Sequence, residues 1–277
     1  MSLKVTTNIP SISAQKTLSS TQRELEKSFS QLSSGSRITK AADDAAGLSI
    51  SETLKSTVRG YGQAKRNAND AISMVQVSEG GLSEVSNMLS RLRELGVQAA
   101  SDTVGDKERG FIDLEVQQLK NEMQRISETT RFGSVKLLDG SGENYEFQVD
   151  INNDDFADRI GFDASAQNVQ ISELGVDSFD FSSKEGAREA LEGLEEAQVT
   201  VNGHRATLGA IQNRLISTTE SLSNAVENFS AANSRIRDTD IAESSADLAR
   251  NQVLQATSIS VLAQANQSTS AALKLVG

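Results

Sequence analysis

Between Leu82 and Ala100, apolar residues recur at alternating steps of three and four: Leu82, Val85, Leu89, Leu92, Leu95 and Ala99. Glu84, Ser90, Arg91, Arg93 and Glu94 fill the gaps. This is the spacing of an apolar stripe on one face of an α-helix. Such a stripe is not stable alone in water and requires covering helices. Two other stretches carry matching stripes: Ile112, Val116, Leu119, Met123 and Ile126, and, far along the chain, Ile211, Leu215, Leu222, Val226, Phe229 and Ile236. The expectation is three long helices sharing one seam, with a late segment folded back on an early one.

Aromatic residues make up 4% of the chain, Trp is absent, and the single proline is Pro10. A thick globular core would need more of the large side chains, and few prolines leave helices uninterrupted. The fold class that follows is mainly α, a long antiparallel helical bundle or coiled coil formed by the N- and C-terminal halves, with a small β-hairpin region in the middle.

Residues 3–33 carry only a sparse seam of Ala14, Leu18, Leu25, Phe29 and Leu32, too thin to fold unaided, so this end is expected to be disordered in the free monomer. Ser34 to Asp43 reads as a connector. Asp43 and Asp44 precede the pattern Leu48, Leu54, Val58, Tyr61, Ala64, Ala68, Ala71 and Val75. Paired carboxylates can hold a metal or exchange protons, but at a helix start they cap free N–H groups. Gly60, Gly62, Gly80 and Gly81 mark either pliable points or close helix contacts. A turn at 101–106 ends the central helix, and another helix runs from about Lys107 to Thr129.

From Arg131-Phe-Gly133 the period changes. Asn144–Ile151 alternates polar and apolar residues, as a strand does, and Val169-Gln-Ile171 is a candidate second strand. Helical spacing resumes at Ala187, Ala190, Leu191, Leu194 and Ala197. Thr200-Val-Asn-Gly-His204 resembles a hairpin turn but is flanked by helical patterns, and reads as a weak point inside a helix. In the last segment the apolar series is Ala242, Ala246, Ala249, Val253 and Ala256, continuing to Leu262 and Leu273. No charge falls between Arg250 and Lys274, which suits a helix packed among neighbours or facing a confined channel.

The formal net charge is −11. Between Ser141 and Ser183, ten acids face one base, Arg159; a solvated acidic exterior is the expected reading, a cation site the other. Nucleic acid is not an expected partner, because phosphate binding needs clustered Lys and Arg. Without Cys there are no disulfides or thiolate metal sites, and one His, His204, excludes a His-Glu-x-x-His zinc motif. No run of 18 apolar residues exists to insert into a membrane, and the first residues lack the apolar core of a cleaved signal peptide. Neither a cofactor nor an enzymatic activity is expected.

The order of the pieces resembles bacterial flagellin. The matching stretches are Leu32-Ser-Ser-Gly-Ser-Arg-Ile38, Ala42-Asp-Asp-Ala-Ala-Gly47, Arg66-Asn-Ala-Asn-Asp70, Arg91-Leu-Arg-Glu-Leu95 and Thr130-Arg-Phe-Gly133. Leu208-Gly-Ala-Ile-Gln-Asn-Arg214, Ser234-Arg-Ile-Arg-Asp-Thr-Asp240 and Leu262-Ala-Gln-Ala-Asn-Gln267 complete them. The resemblance implies a filament subunit, extracellular, exported unfolded by the flagellar type III apparatus. Its implied partners are other copies of itself, an export chaperone, and cap and junction proteins. It divides the chain into terminal helices (1–43 and 237–277) for an inner core, a long-helix bundle (44–139 and 184–236), and a reduced acidic variable segment (140–183). Leu18, Leu25, Phe29, Leu32, Val253, Leu262 and Leu273 are the assembly residues this picture selects. Arg91, Leu95 and Glu115 match the patch gripped by Toll-like receptor 5, or else serve filament contacts. Gly96 and Gln267-Ser-Thr-Ser270 depart from the family's usual residues. The alternatives are a hook–filament junction protein of the same helical-ended superfamily, an unrelated secreted coiled-coil adaptor, and an enzyme.

Overall fold

The computed structural model describes residues 7–276, with side chains through 267. The chain forms two compact units, one of Thr57–Glu227 and one of the segments before and after it, up to Ser56 and from Asn228.

The first of these is built on the later part of α2 (Ala45–Ala99), together with α3 (Asp106–Thr129) and most of α4 (Lys184–Arg237). All six seam residues from Leu82 to Ala99 are buried. They share one cluster with Ile112, Val116 and Met123 of α3 and with Ala187, Ala190, Leu194, Ala197 and Val201 of α4. The α4 register differs from the expected one. Gly96 lies against Leu191, Arg93 pairs with Glu195, and Gln198 donates to Ser86. Glu79 pairs with Arg205. The antiparallel return begins at Lys184, ion-paired to Asp102, so its first turns cover the seam. Of the Ile211–Ile236 stretch, Leu215 joins the same cluster and Ile211 packs against it, while its far end lies beside the start of α2, where Asn233 accepts from Ser51 at 2.7 Å. Periodicity favours the stretch with large side chains, whereas three alanines of α4, Ala187, Ala190 and Ala197, cover the seam together with Leu194 and Val201.

Arg109 explains why α2 ends where it does. Its buried guanidinium donates to the carbonyls of Ala99 (2.9 Å) and Ser101 (3.0 Å) and pairs with Asp106. The Ala99 carbonyl, in the last turn of α2, has no partner inside the helix, and a cation there also complements the helix dipole. Lys120, likewise buried, holds the carbonyl oxygens of Asp177 and Phe179 at 2.5 and 3.3 Å.

Between α3 and α4 the chain forms β1 (Arg131–Phe132), β2 (Val135–Lys136), β3 (Asn144–Gln148) and β4 (Arg159–Asp163), paired antiparallel as β1–β2 and β3–β4. The expected strand at Val169–Ile171 is not one. Val169 is buried and bonded to the Leu138 carbonyl, but a turn follows. The partner of β3 is instead β4, whose Ile160 and Phe162 face the core on either side of Gly161. One glycine and flanking charges diluted that alternation. The acidic segment is more than a solvated exterior. Asp158 is buried and Asp150 half-buried, with the other eight acids exposed. Val149, Phe162, Val169, Val176 and Phe181 join the central cluster.

The four glycines of α2 divide. A Cβ on Gly60 would lie 2.6 Å from Ile151 Cγ2, and one on Gly81 the same distance from Leu138 Cδ1, so these two are close contacts. Gly62 and Gly80 meet nothing within 4 Å. The helix runs through all four unbroken, and α4 likewise runs through Thr200–His204.

Asp139 supplies a pH test. Burial pushes its carboxyl up, but Lys136 at 2.8 Å and two Ser141 donors outweigh this and hold it below the usual value of 3.8. A group whose folded pKa is depressed stabilises above its unfolded pKa and loses that contribution as pH falls through the folded one. Urea midpoints of the wild type are therefore expected to fall faster below about pH 3.8 than those of Asp139→Asn, with the two curves converging in acid.

In the second unit, α1 (Ile9–Ser34) ends at Gly35 with φ 67°. The connector to α2 is stitched to the break between α4 and α5 (Ile241–Val276). The Arg37 N–H donates to the Arg237 carbonyl (2.6 Å), the Thr239 N–H to the Gly35 carbonyl (3.0 Å), and the Arg37 guanidinium to the Ile236 carbonyl (2.7 Å). Asp44 caps α2 by accepting from Gly47 N–H at 2.8 Å. Asp43 closes the preceding turn by accepting from Lys40 and Thr39, which lowers its pKa.

Candidate assembly surfaces

Helices α1 and α5 pair along a seam with seven-residue periodicity. On α1 the inward series is Ser11, Ala14, Leu18, Thr21, Leu25, Ser28 and Leu32; on α5 it is Ser244, Leu248, Asn251, Gln255, Ser258, Leu262 and Ala265. Both alternate steps of three and four, the geometry of a coiled coil. The pairing is antiparallel: Asn8 donates to the Ala265 carbonyl at 3.0 Å, Ser11 to Asn266 at 2.9 Å, and Gln255 to Gln22 at 3.1 Å. Asn8 and Asp240 cap the two helices.

Sequence reading found half of this seam. Leu18, Leu25, Leu32 and Leu262 lie in it, half-buried. Phe29 does not; it is exposed, one residue beyond buried Ser28. On α5 the apolar series expected to pack, Ala242, Ala246, Ala249, Val253 and Ala256, is entirely exposed, and the inward face is mostly polar. Helical periodicity placed on apolar residues alone selects the wrong face when the seam is Ser, Asn and Gln. The side chain of Leu273 lies outside the described residues.

Such a seam is weak. Its five half-covered leucines offset only a fraction of roughly 1–2 kcal/mol of backbone entropy per ordered residue. The remaining apolar side chains point outward: Ile9, Ile12 and Phe29 on α1, and Ile241, Val253, Leu254, Ile259 and Val261 on α5. At about 100° per residue, positions 253, 254, 259 and 261 point to different sides of α5. A helix that exposes apolar side chains on several sides, beyond the face its partner covers, belongs among further neighbours. A shallow groove of about 380 Å³ between Pro10, Ala14, Thr17, Leu254 and Val261 is part of this surface.

The second surface lies on α2 and α3. Arg91 spans Glu94 at 2.9 Å and Glu115 at 2.8 Å, and these two carboxylates raise its pKa. Leu95, four residues on, is 2% exposed and packs in the core. Val97 is exposed on the side of α2 toward α4, and on α3 before Glu115 the exposed apolar residues are Phe111 and Leu114. The last two could have been found, since they fall off the Ile112, Val116, Met123 stripe. His204 is half-buried, and burial pushes its pKa down. Among the described residues, no three His, Cys, Asp or Glu side chains gather to hold a metal, and no helix is long and apolar enough to cross a membrane.

Residues 5–143 match the family model of the bacterial flagellin N-terminal helical region, and residues 191–276 that of the C-terminal helical region. A flagellin of Halalkalibacterium halodurans is 38% identical over 97% of this chain and 98% of its own. The crystal structure of Bacillus cereus flagellin superposes with a TM-score of 0.52 at 28% identity, covering 61% of this chain and 94% of that one. A putative flagellar hook-associated protein from Vibrio parahaemolyticus shares the fold, with a TM-score of 0.57 at 13% identity over 71% of this chain and 100% of that one.

Proposed function

The chain belongs to the bacterial flagellin family, and from that premise we propose that it is the structural subunit of a flagellar filament, built by polymerisation of this chain with itself. The observation that carries the reading is α5, whose apolar side chains face several directions while its paired face is mostly polar. One partner helix cannot cover it. Copies of the same chain, each bringing the same unfinished pair, can.

Within this reading the terminal helices (1–43 and 237–277) form the inner core, the long helices (44–139 and 184–236) a surrounding layer, and the acidic segment (140–183) the outer surface. Phe29 and Val253 contact neighbouring copies, whereas Leu18, Leu25, Leu32 and Leu262 hold α1 to α5. Leu273 belongs with the assembly residues. The weak seam lets the ends remain unpaired until assembly, which suits export unfolded through the flagellar type III channel, with a chaperone before it and cap and junction proteins beyond, to an extracellular filament. The exposed Arg91–Glu115 pair is the part of the receptor patch available to Toll-like receptor 5 on a free subunit. Sheared filament fragments added to purified chain are expected to elongate, seen as rising light scattering and longer filaments in electron micrographs. Chain that stays monomeric at every seed concentration would overturn the reading.

A further inference from the structure

Along α3, Asp113, Gln117, Lys120, Gln124 and Ser127 follow one another at steps of four, three, four and three, so they form one polar stripe on the helix. Four of the five bond the main chain of the segment that follows. Ser127 donates to the Leu138 carbonyl at 3.3 Å, and Gln124 Oε1 accepts from the Ile171 N–H at 3.3 Å. The buried Lys120 ammonium takes the Asp177 and Phe179 carbonyls, and Asp113 accepts from the Phe181 N–H at 3.2 Å. The fifth, Gln117, donates to Asp113 at 3.4 Å. Residues 171–181 therefore lie as a strap antiparallel to α3.

The strap's internal hydrogen bonds are turns, such as Val176 N–H to the Ile171 carbonyl. Inward it buries Leu174, Val176 and Phe181. Its two rings sit at glycines of the neighbouring helices: a Cβ on Gly193 of α4 would lie 2.5 Å from Phe179 Cζ, and one on Gly96 of α2 3.4 Å from Phe181 Cε2. Outward it shows Ser172, Glu173, Asp177, Ser178 and Asp180. The α3 stripe grips carbonyls and N–H groups that every residue type supplies, so the outward side chains have no part in the hold. A segment of turns held by a few side chains opens at lower free energy than packed helices. Lys120 matters most, because removing its charged donor leaves two carbonyls without it.

We propose that residues 171–181 are a clasp that opens and closes over Gly96 and Gly193 as a unit of its own while the helices stay packed, and that Lys120 holds it shut whatever side chains the clasp shows to solvent. The chain has no cysteine, so one introduced thiol at a fully buried position reports opening there: Val176→Cys for the clasp, Val85→Cys for the helical seam. In full-length monomer under native conditions, position 176 is expected to react with a small thiol reagent at least about tenfold faster than position 85. Adding Lys120→Met, which keeps an apolar stem and removes the ammonium, is expected to speed labelling at 176 about tenfold further and leave that at 85 within about twofold. Glu173→Ala, Asp177→Ala and Ser178→Ala together are expected to change neither rate. Equal acceleration at both positions, or none at 176, overturns the clasp, and acceleration at 176 by the three alanines overturns its indifference to outward side chains. Should Lys120→Met not fold, Gln124→Leu, at the half-exposed other end of the grip, is expected to speed labelling at 176 alone, and any other pattern overturns the proposal.

Discussion

A chain ending at Ile241 is expected to form no filaments at any concentration that polymerises the full chain, while keeping the helical signal and cooperative melting of its middle. The reason lies in what each part buries. Within Thr57–Glu227 the central cluster draws on α2, α3, α4 and the acidic segment, and none of those residues lies beyond 241. The truncation removes nothing from it. In the other unit it removes the helix paired with α1, including Leu248, Leu262 and Ala265 of the seam and the exposed Val253, Leu254, Ile259 and Val261 of α5. An isolated α1, with three leucines on one stripe, is not stable in water. The measurement is electron microscopy of seeded growth beside a circular dichroism melt. Normal filaments from the truncated chain would mean that the ends do not drive assembly. Loss of the cooperative melt would mean that the two units are not separately stable.

The contrast between those units also explains what could be read from residues alone. The Leu82–Ala99 seam was legible because its residues are large, apolar and spaced for one face, and all six are buried. The breaks at Ser34–Asp44 and Ser101–Gly105 were legible from Gly, Ser and Asp. The α1–α5 seam was not, because Ser11, Thr21, Ser28, Asn251 and Gln255 carry no hydrophobic signal and are chosen for fit and hydrogen bonding between close backbones. The outward Ala and Val of α5 do carry such a signal, and it points to contacts the single chain does not contain. The same confusion of face hid the register of α4, where alanines do the covering. For the candidate sites, the stripe already set Leu95 inward and Arg91 among the polar residues beside it, as the structure has them. The link from Arg91 to Glu115, on a different helix, is a tertiary contact.

Leu95→Ala and Arg91→Ala are expected to behave as different kinds of variant, although they lie four residues apart. Leu95 is 2% exposed in the central cluster, so its truncation removes buried methyl groups and leaves a cavity, at about 2–5 kcal/mol. For a unit of this size that lowers the melting midpoint by on the order of 10 °C. Arg91 is half-exposed and reaches Glu94 and Glu115 across solvent, where ion pairs contribute little to stability, so its midpoint should stay near that of the wild type. The two variants separate fold from recognition. If the surface pair is what a receptor reads on free subunits, Arg91→Ala and Glu115→Ala reduce receptor signalling several-fold with unchanged melting. Leu95→Ala, assayed well below its own midpoint, retains most of the response and loses it only as the fold is lost. A Leu95→Ala chain that melts like the wild type would contradict its place in the core. One that stays folded at the assay temperature but no longer signals would put Leu95 back in the recognition patch, acting through the position it gives Arg91.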